Sequence, residues 1–408
     1  MEHVVYTNDM NELISVLMMV IIYSLICIYI LRRTKMSLFM HLLFFISVAL
    51  RVSLTMIDTY FFYLPHSGAD SVKFELQAYN LLIGYLDINE YNFDNYPKLI
   101  YYIYLLIGRK PLFIRAINGC LSLITGLLVY KSIFKITDDN KKSSWGMLFF
   151  LLFPQSMIFS SIILRECLIV FFATFSVWSF IEYTYNNKTS NLYLSFISLL
   201  IGSLFHCGII LIAIAYLLFI FIEKRNSTKK IILLLSVVVI LLLVIINKDI
   251  FLRKFSIISS LGDFYNWLNY VNTLQAGSGY LNNFSINTII DLIIYVPFKI
   301  IYFLFSPMIW DIRGAQDIIA FLFDVVFYMI LISIIIKAFF YKGFARKNDI
   351  IIKILIIATV LVIGAYSMGT IAAGTAIRHR YKVLSLLLII VFSQQSVFGT
   401  MKTKHSGT

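Results

Sequence analysis

Apolar runs long enough to cross a bilayer recur along the chain, and they constrain its fold more than any other feature. Leu13–Leu31 contains no charged residue, and Ile350–Met368 contains only Lys353. A hydrocarbon core of about 30 Å takes roughly 20 such residues as a helix. A soluble chain could not cover its surface with the 13% of charged residues present here, against 60% hydrophobic. The fold class expected is an all-α, polytopic transmembrane helical bundle of about 10–12 spans, since lipid admits only segments that satisfy their own backbone.

Residues 1–408 read as a single integral membrane domain. The acidic N-terminus (Glu2, Asp9, Glu12) lacks the basic region of a cleaved signal, so Leu13–Leu31 reads as a retained first span. The net charge of +13 gathers in short loops between apolar runs. That placement fits the positive-inside rule and gives no basic stripe for nucleic acid. The basic loop Arg32–Lys35 therefore lies in the cytoplasm and the N-terminus outside. A second span follows at Leu38–Ile57 and carries Arg51, which must reach water or a partner inside the bundle. The four cysteines (Cys27, Cys120, Cys167, Cys207) are scattered singly, which supports neither a disulfide framework nor a zinc site.

Residues 58–111 read as a first outer loop rich in acids, with an amphipathic helix at Val72–Leu86 lying in the interface. Lys98–Ile107 is too short to span, and Gly108–Pro111 breaks it. Spans are expected at Leu112–Tyr130, Trp145–Ile163 and Cys167–Tyr183, the last two separated by an outer turn at Leu164-Arg165-Glu166. Leu192–Ile222 reads as two short passes turning near His206, before the basic cytoplasmic loop Glu223–Lys230 and a span at Ile231–Ile246. Residues 247–317 read as a second outer loop. Its apolar part, Ile289–Trp310, carries Asp291, Pro297, Lys299 and Pro307, and is expected to be broken or re-entrant. Spans at Phe321–Ile336, Ile350–Met368 and Val383–Phe398, around the basic stretch Lys337–Asn348, bring the C-terminus to the cytoplasm with Lys402 and Lys404.

This topology gathers Arg165, Glu166, His206, Asp311, Arg313 and the cluster Arg378-His379-Arg380 on the outer face. Cytoplasmic loops are short, and no GxxxxGK[ST], GxGxxG or HExxH pattern is present. No metal or cofactor is implied. An outer-face enzyme must take its substrate through the bilayer, and Arg with His suits a phosphate or diphosphate headgroup. Candidate diphosphate- or sugar-binding residues are Arg378, Arg380, Arg165, Arg313, Trp310 and His206; candidate bases are Glu166, His379 and Asp70.

Three stretches resemble a known family. They are Phe153-Pro154-Gln155-Ser156 with Phe159-Ser160-Ser161 and Leu164-Arg165-Glu166; Tyr302–Trp310 around Ser306-Pro307; and Gly374–Arg380. As an ordered set they resemble Wzy-type oligosaccharide repeat-unit polymerases of O-antigen and capsule loci, and the architecture is GT-C-like, with outer-face interfacial helices. The tandem acid usual at the end of a GT-C first span is missing; Asp58 stands alone after the second. The resemblance implies a bacterial cytoplasmic-membrane enzyme joining undecaprenyl-diphosphate-linked repeat units. Its implied partners are the polyprenyl-(di)phosphate-linked glycan, the bilayer and other membrane proteins of polysaccharide assembly. A GT-C transferase using a polyprenyl-phosphate sugar is the alternative, with Asp70 as base, and a flippase is the third reading. The polar residues gather at one face and no internal repeat is visible, unlike many transporters.

Overall fold

A computed structural model describes residues 9–88, 94–222, 261–273, 279–280, 286–340 and 348–394, and helices dominate it. Helices α1 (Asp9–Arg33) and α2 (Leu38–Tyr60) lead to α3 (Val72–Leu82) and α4 (Asn95–Ile107). Next come α5 (Pro111–Thr137), α6 (Asn140–Leu152), α7 (Pro154–Ser161), α8 (Glu166–Asn186), α9 (Thr189–Ser203) and α10 (Ile212–Ile222). The remainder comprises α11 (Leu261–Thr273), α12 (Ile289–Phe305), α13 (Ala315–Ala320), α14 (Val326–Phe340), α15 (Asn348–Met368) and α16 (Ala373–Phe392).

Among the described residues, six helices are long and apolar enough to cross a membrane. The chain is an all-α, multi-pass membrane protein. The expected loop Glu223–Lys230, span Ile231–Ile246, about a third of the second outer loop, part of Lys337–Asn348 and the basic tail lie outside the described residues.

Helix α5 is the axis of the bundle. It is buried along nearly its whole length and packs on α1, α2, α6, α7, α8 and α16. Helices α1 and α2 instead expose Leu17, Ile21, Leu25, Leu42 and Phe45, as lipid-facing helices do. Between apolar helices in lipid, close packing and hydrogen bonds replace the hydrophobic drive. Gly119 shows the closeness required, because a Cβ there would sit 1.7 Å from the Tyr23 hydroxyl of α1.

Buried polar pairs fasten the same axis. Arg51 is fully buried and donates to Ser47 O at 3.0 Å, Ser122 Oγ at 3.2 Å and Ser156 Oγ at 3.1 Å, joining α2 to α5 and α7. It pairs inside the bundle instead of snorkelling. Asp58, at the end of α2, meets Arg115 of α5 at 3.0 Å. Glu75 of α3 takes a forked pair from Arg109, both contacts at 2.9 Å.

Several boundaries differ from the sequence expectation, each for a local reason. The run Trp145–Ile163 is divided into α6 and α7, because Phe153 turns extended (φ −65°, ψ 129°) before Pro154, which has no amide hydrogen to continue the ladder. Helix α3 ends at Leu82 instead of Leu86, just before Gly84 at φ 73°. Its inner face (Phe74, Glu75, Ala78, Leu81) is buried in the protein. Helix α4 stops at Gly108 (φ 77°), too short to span. The helices break at Leu204–His206, and within Ile289–Trp310 helix α12 runs through Pro297 and stops at Phe305, ahead of Pro307.

Candidate active site

The stretch Gly374–Lys382 forms the first turns of α16, not a connecting loop. Tyr280 N donates to Ile371 O at 2.9 Å, and Gly279 pairs with Ala372, fixing where the helix begins. With 3.6 residues per turn, positions four apart share a face and positions two apart face away from each other. Arg378 and Lys382 therefore point one way and Arg380 the other.

Arg378 gathers two carboxylates from distant parts of the chain. Its Nη2 lies 2.6 Å and its Nε 3.2 Å from Glu166 Oε1, and its Nη1 contacts Asp70. Glu166 opens α8, where the positive end of the helix favours an acid. The turn before it is clamped from α5: Asn118 Nδ2 donates to Ile162 O at 2.8 Å and to Leu164 O at 3.0 Å. Ser71 Oγ accepts from Ile163 N at 3.0 Å, tying the Asp70 turn (Ser67–Ser71) to the same place. The Glu166 side chain is 2% exposed, and its Oε2 has no hydrogen-bond partner among the described residues. Asp70 is 41% exposed and Arg378 15%, so the opening of the site lies on the Asp70 side.

A ring cluster flanks that triad. His379 stands 5.1 Å from His206 and 4.9 Å from Tyr366, centroid to centroid, and its Nδ1 lies 3.0 Å from Lys382 Nζ. Lys382 Nζ sits 5.1 Å from the Tyr366 ring centre. His206 Nδ1 accepts from Gly208 N at 3.4 Å. Gly208 is needed there, since a Cβ would come within 2.5 Å of the Tyr366 ring. Arg165 turns outward to Asp94 at 3.1 Å, with its guanidinium 5.7 Å from the Phe74 ring. Lys382 and Arg165 both act electrostatically on Glu166.

Arg380 lies elsewhere. It is fully buried, paired with Asp324, and donates to Phe303 O at 3.1 Å and Leu304 O at 3.0 Å at the end of α12. Tyr328 Oη donates to Arg380 O at 2.8 Å. This guanidinium ties the last turn of α12 and the Phe321–Val325 turn that leads into α14 to α16. Trp310 (73% exposed) and Arg313 sit in the connection after α12, where Arg313 N donates to Asp317 Oδ2 at 3.0 Å.

The structure thus brings together Asp70, Glu166, Arg378, His379 and His206, with Arg165 at the edge. Contacts unforeseen from the sequence are Lys382, Tyr366, Asp324 and His66, on which the charges of Arg378, Glu166 and Asp70 all act. Lys382 had a readable signal, its four-residue spacing from Arg378; His66 had none. No group of three His, Cys, Asp or Glu among the described residues is arranged to hold a metal ion.

A family described as dolichyl-phosphate-mannose-protein mannosyltransferase matches residues 96–247. The matched segment runs from α4 to beyond α10 and contains Arg165, Glu166 and His206. This match supports a membrane glycosyltransferase of GT-C-like architecture that uses lipid-linked sugar. No curated protein and no solved structure matches the chain.

Proposed function

We propose that the chain is a polymerase joining undecaprenyl-diphosphate-linked oligosaccharide repeat units at the outer face of a bacterial cytoplasmic membrane. The observation that carries this reading is Arg378, held between Asp70 and Glu166 at the start of α16. Glu166, sealed beneath it, fixes the guanidinium; Asp70, on the open side, is the partner a diphosphate displaces. Arg forks match phosphate oxygens, and charge placed beforehand stabilises a leaving diphosphate as it departs. Lys382 adds a second cation on the same helix face. His379 and His206 line the flank where a sugar would lie.

The lipid tail of such a substrate also has a place. An apolar cavity of about 280 Å³ lies between α12, α14, α15 and α16, bounded by Leu304, Ile332, Thr359 and Leu387 among others. Leu387 is nine residues beyond Arg378 on α16, roughly 13 Å along the helix at 1.5 Å per residue. Nine residues also turn the helix by about half a circle, so the cavity opens on the Arg380 face, and a polyprenyl chain with its diphosphate at Arg378 would pass round α16 to enter it.

The match to a mannosyltransferase family favours a second reading, transfer of one sugar from a polyprenyl-phosphate donor. Deleting the gene separates the two. A polymerase knockout accumulates single repeat units on the outer leaflet and makes no long chains. A single-sugar transferase knockout leaves repeats short of one sugar at unchanged chain length. Unchanged glycan in both respects would overturn both readings.

A further inference from the structure

A buried carboxylate pins the loop after α2 at two points. Asp58 Oδ1 accepts from Leu64 N at 2.8 Å, and Oδ2 accepts from Ser67 Oγ at 2.9 Å. Arg115 of α5 grips the same Oδ2 at 3.0 Å. Between those pins His66 is held at φ 69°, the left-handed region that side-chain-bearing residues enter at a cost. Strain of this kind persists where surrounding contacts over-determine the backbone, and it gathers at functional positions.

The twist delivers the imidazole to the Arg378 site. Its ring lies edge-on to Phe159 at 5.5 Å, and a Cβ at Gly374 would meet His66 Cε1 at 3.6 Å. The charges facing it are Arg378, Glu166 and Asp70. His66 is half-buried, and no described residue hydrogen-bonds to its ring. The other titratable groups here are engaged: Asp70 and Glu166 by Arg378, and His379 by Lys382.

Resting on the reading of this site as a glycosyl-transfer centre, we propose that His66 is its catalytic base, taking the proton from the acceptor sugar hydroxyl. The hydroxyl oxygen then forms a bond to the anomeric carbon of the donor. The carbon–oxygen bond to the diphosphate breaks with its electron pair, which leaves on the phosphate beside Arg378. The proton stays on the imidazole until solvent removes it. Burial, and then the Arg378 charge, hold the imidazole down to about 4, so it is neutral at physiological pH with a lone pair available. A diphosphate on Arg378 offsets that cation and makes the ring more basic when substrate is present.

The test uses membranes of a deletion strain, which retain its lipid-linked glycan, mixed with purified full-length protein. Replacements are His66→Asn, which tolerates the left-handed backbone, and His66→Gly, which relieves it and leaves space. Polymer formation should fall about 10²-fold or more in both, the usual contribution of a positioned base. Added imidazole should restore part of the His66→Gly activity and none of Arg378→Ala. Wild-type rates in His66→Asn overturn the proposal, and so does a folded, inactive His66→Gly that imidazole leaves unchanged. Loss of polymer in Arg378→Ala with His66→Asn fully active removes the base alone. Full activity in Arg378→Ala removes the site reading on which it rests.

Discussion

Arg378 Nη2 and Glu166 Oε1 lie 2.6 Å apart, although 212 residues separate them in the chain. The contact joins the last described helix to the first residue of α8, inside the segment that matches the mannosyltransferase family. The carboxylate is sealed and the guanidinium is not, so the pair has a fixed side and a working side.

Arg378→Ala and Arg378→Lys should both abolish long-chain product; Lys keeps a cation against the sealed Glu166, so its protein level should stay near wild type, whereas Ala leaves that carboxylate uncompensated and should lower it. Lys keeps the charge but loses the planar fork, so it does not rescue bidentate binding. Gel ladders of surface glycan beside an immunoblot check this; normal chain length in Arg378→Ala would rule the residue out as the anion holder.

Glu166→Gln and Asp70→Asn should behave differently. Removing one partner of a buried pair leaves an uncompensated charge and costs about 3–5 kcal/mol. Glu166→Gln is expected to lower the unfolding temperature in detergent sharply. Asp70→Asn, on the open side, should melt near wild type and lose activity only in part. Equal melting of the two variants contradicts the division into sealed and open carboxylates.

Arg380 and Asp324 should couple in stability, not in substrate binding. Each alanine variant is expected to be destabilised by about 3–5 kcal/mol, and the double variant by less than the sum. A double-mutant cycle of thermal melts measures this. Additive losses would show that the pair is not a unit.

Ile332→Trp narrows the apolar cavity between α12 and α16 without touching a charged residue. The apparent KM for lipid-linked glycan should rise several-fold with kcat little changed, as expected when ground-state and transition-state binding fall together. An unchanged KM would place the lipid tail elsewhere.

Stability should also carry the signature of His66. Its imidazole is held at about 4 in the folded protein, below the ordinary 6.5, so only the unfolded chain takes up this proton between those values. The contribution is complete above pH 6.5 and is lost as pH falls towards about 4. Melting temperatures over that window should drop more steeply for wild type than for His66→Asn; parallel curves would contradict it.

Much of this architecture is visible in one dimension because lipid enforces it. Charge-free runs such as Leu13–Leu31 can only be buried or face lipid, and Gly108 ends α4 where the pattern stops. The division at Phe153-Pro154 was also written in the residues, but a long apolar run masked it. Arg380 shows the limit. Read as a loop, Arg378-His379-Arg380 looks like a single basic patch; wound into a helix, its members diverge by their angular spacing. His66 reaches the site through Asp58 and Arg115, contacts 6 and 57 residues apart in sequence, and no local pattern encodes them.

The opposed grips of Arg378 and Arg380 also set which parts can move. Turning α16 about its own axis to swing Arg378 towards a ligand would drag Arg380 off Asp324 and the end of α12. The helix is locked in rotation, like a bolt keyed from two sides. Adjustment to an arriving headgroup would therefore fall to the exposed Asp70 side chain alone, since Ser67 and Ser71 on either side of it are themselves tied to Asp58 and Ile163.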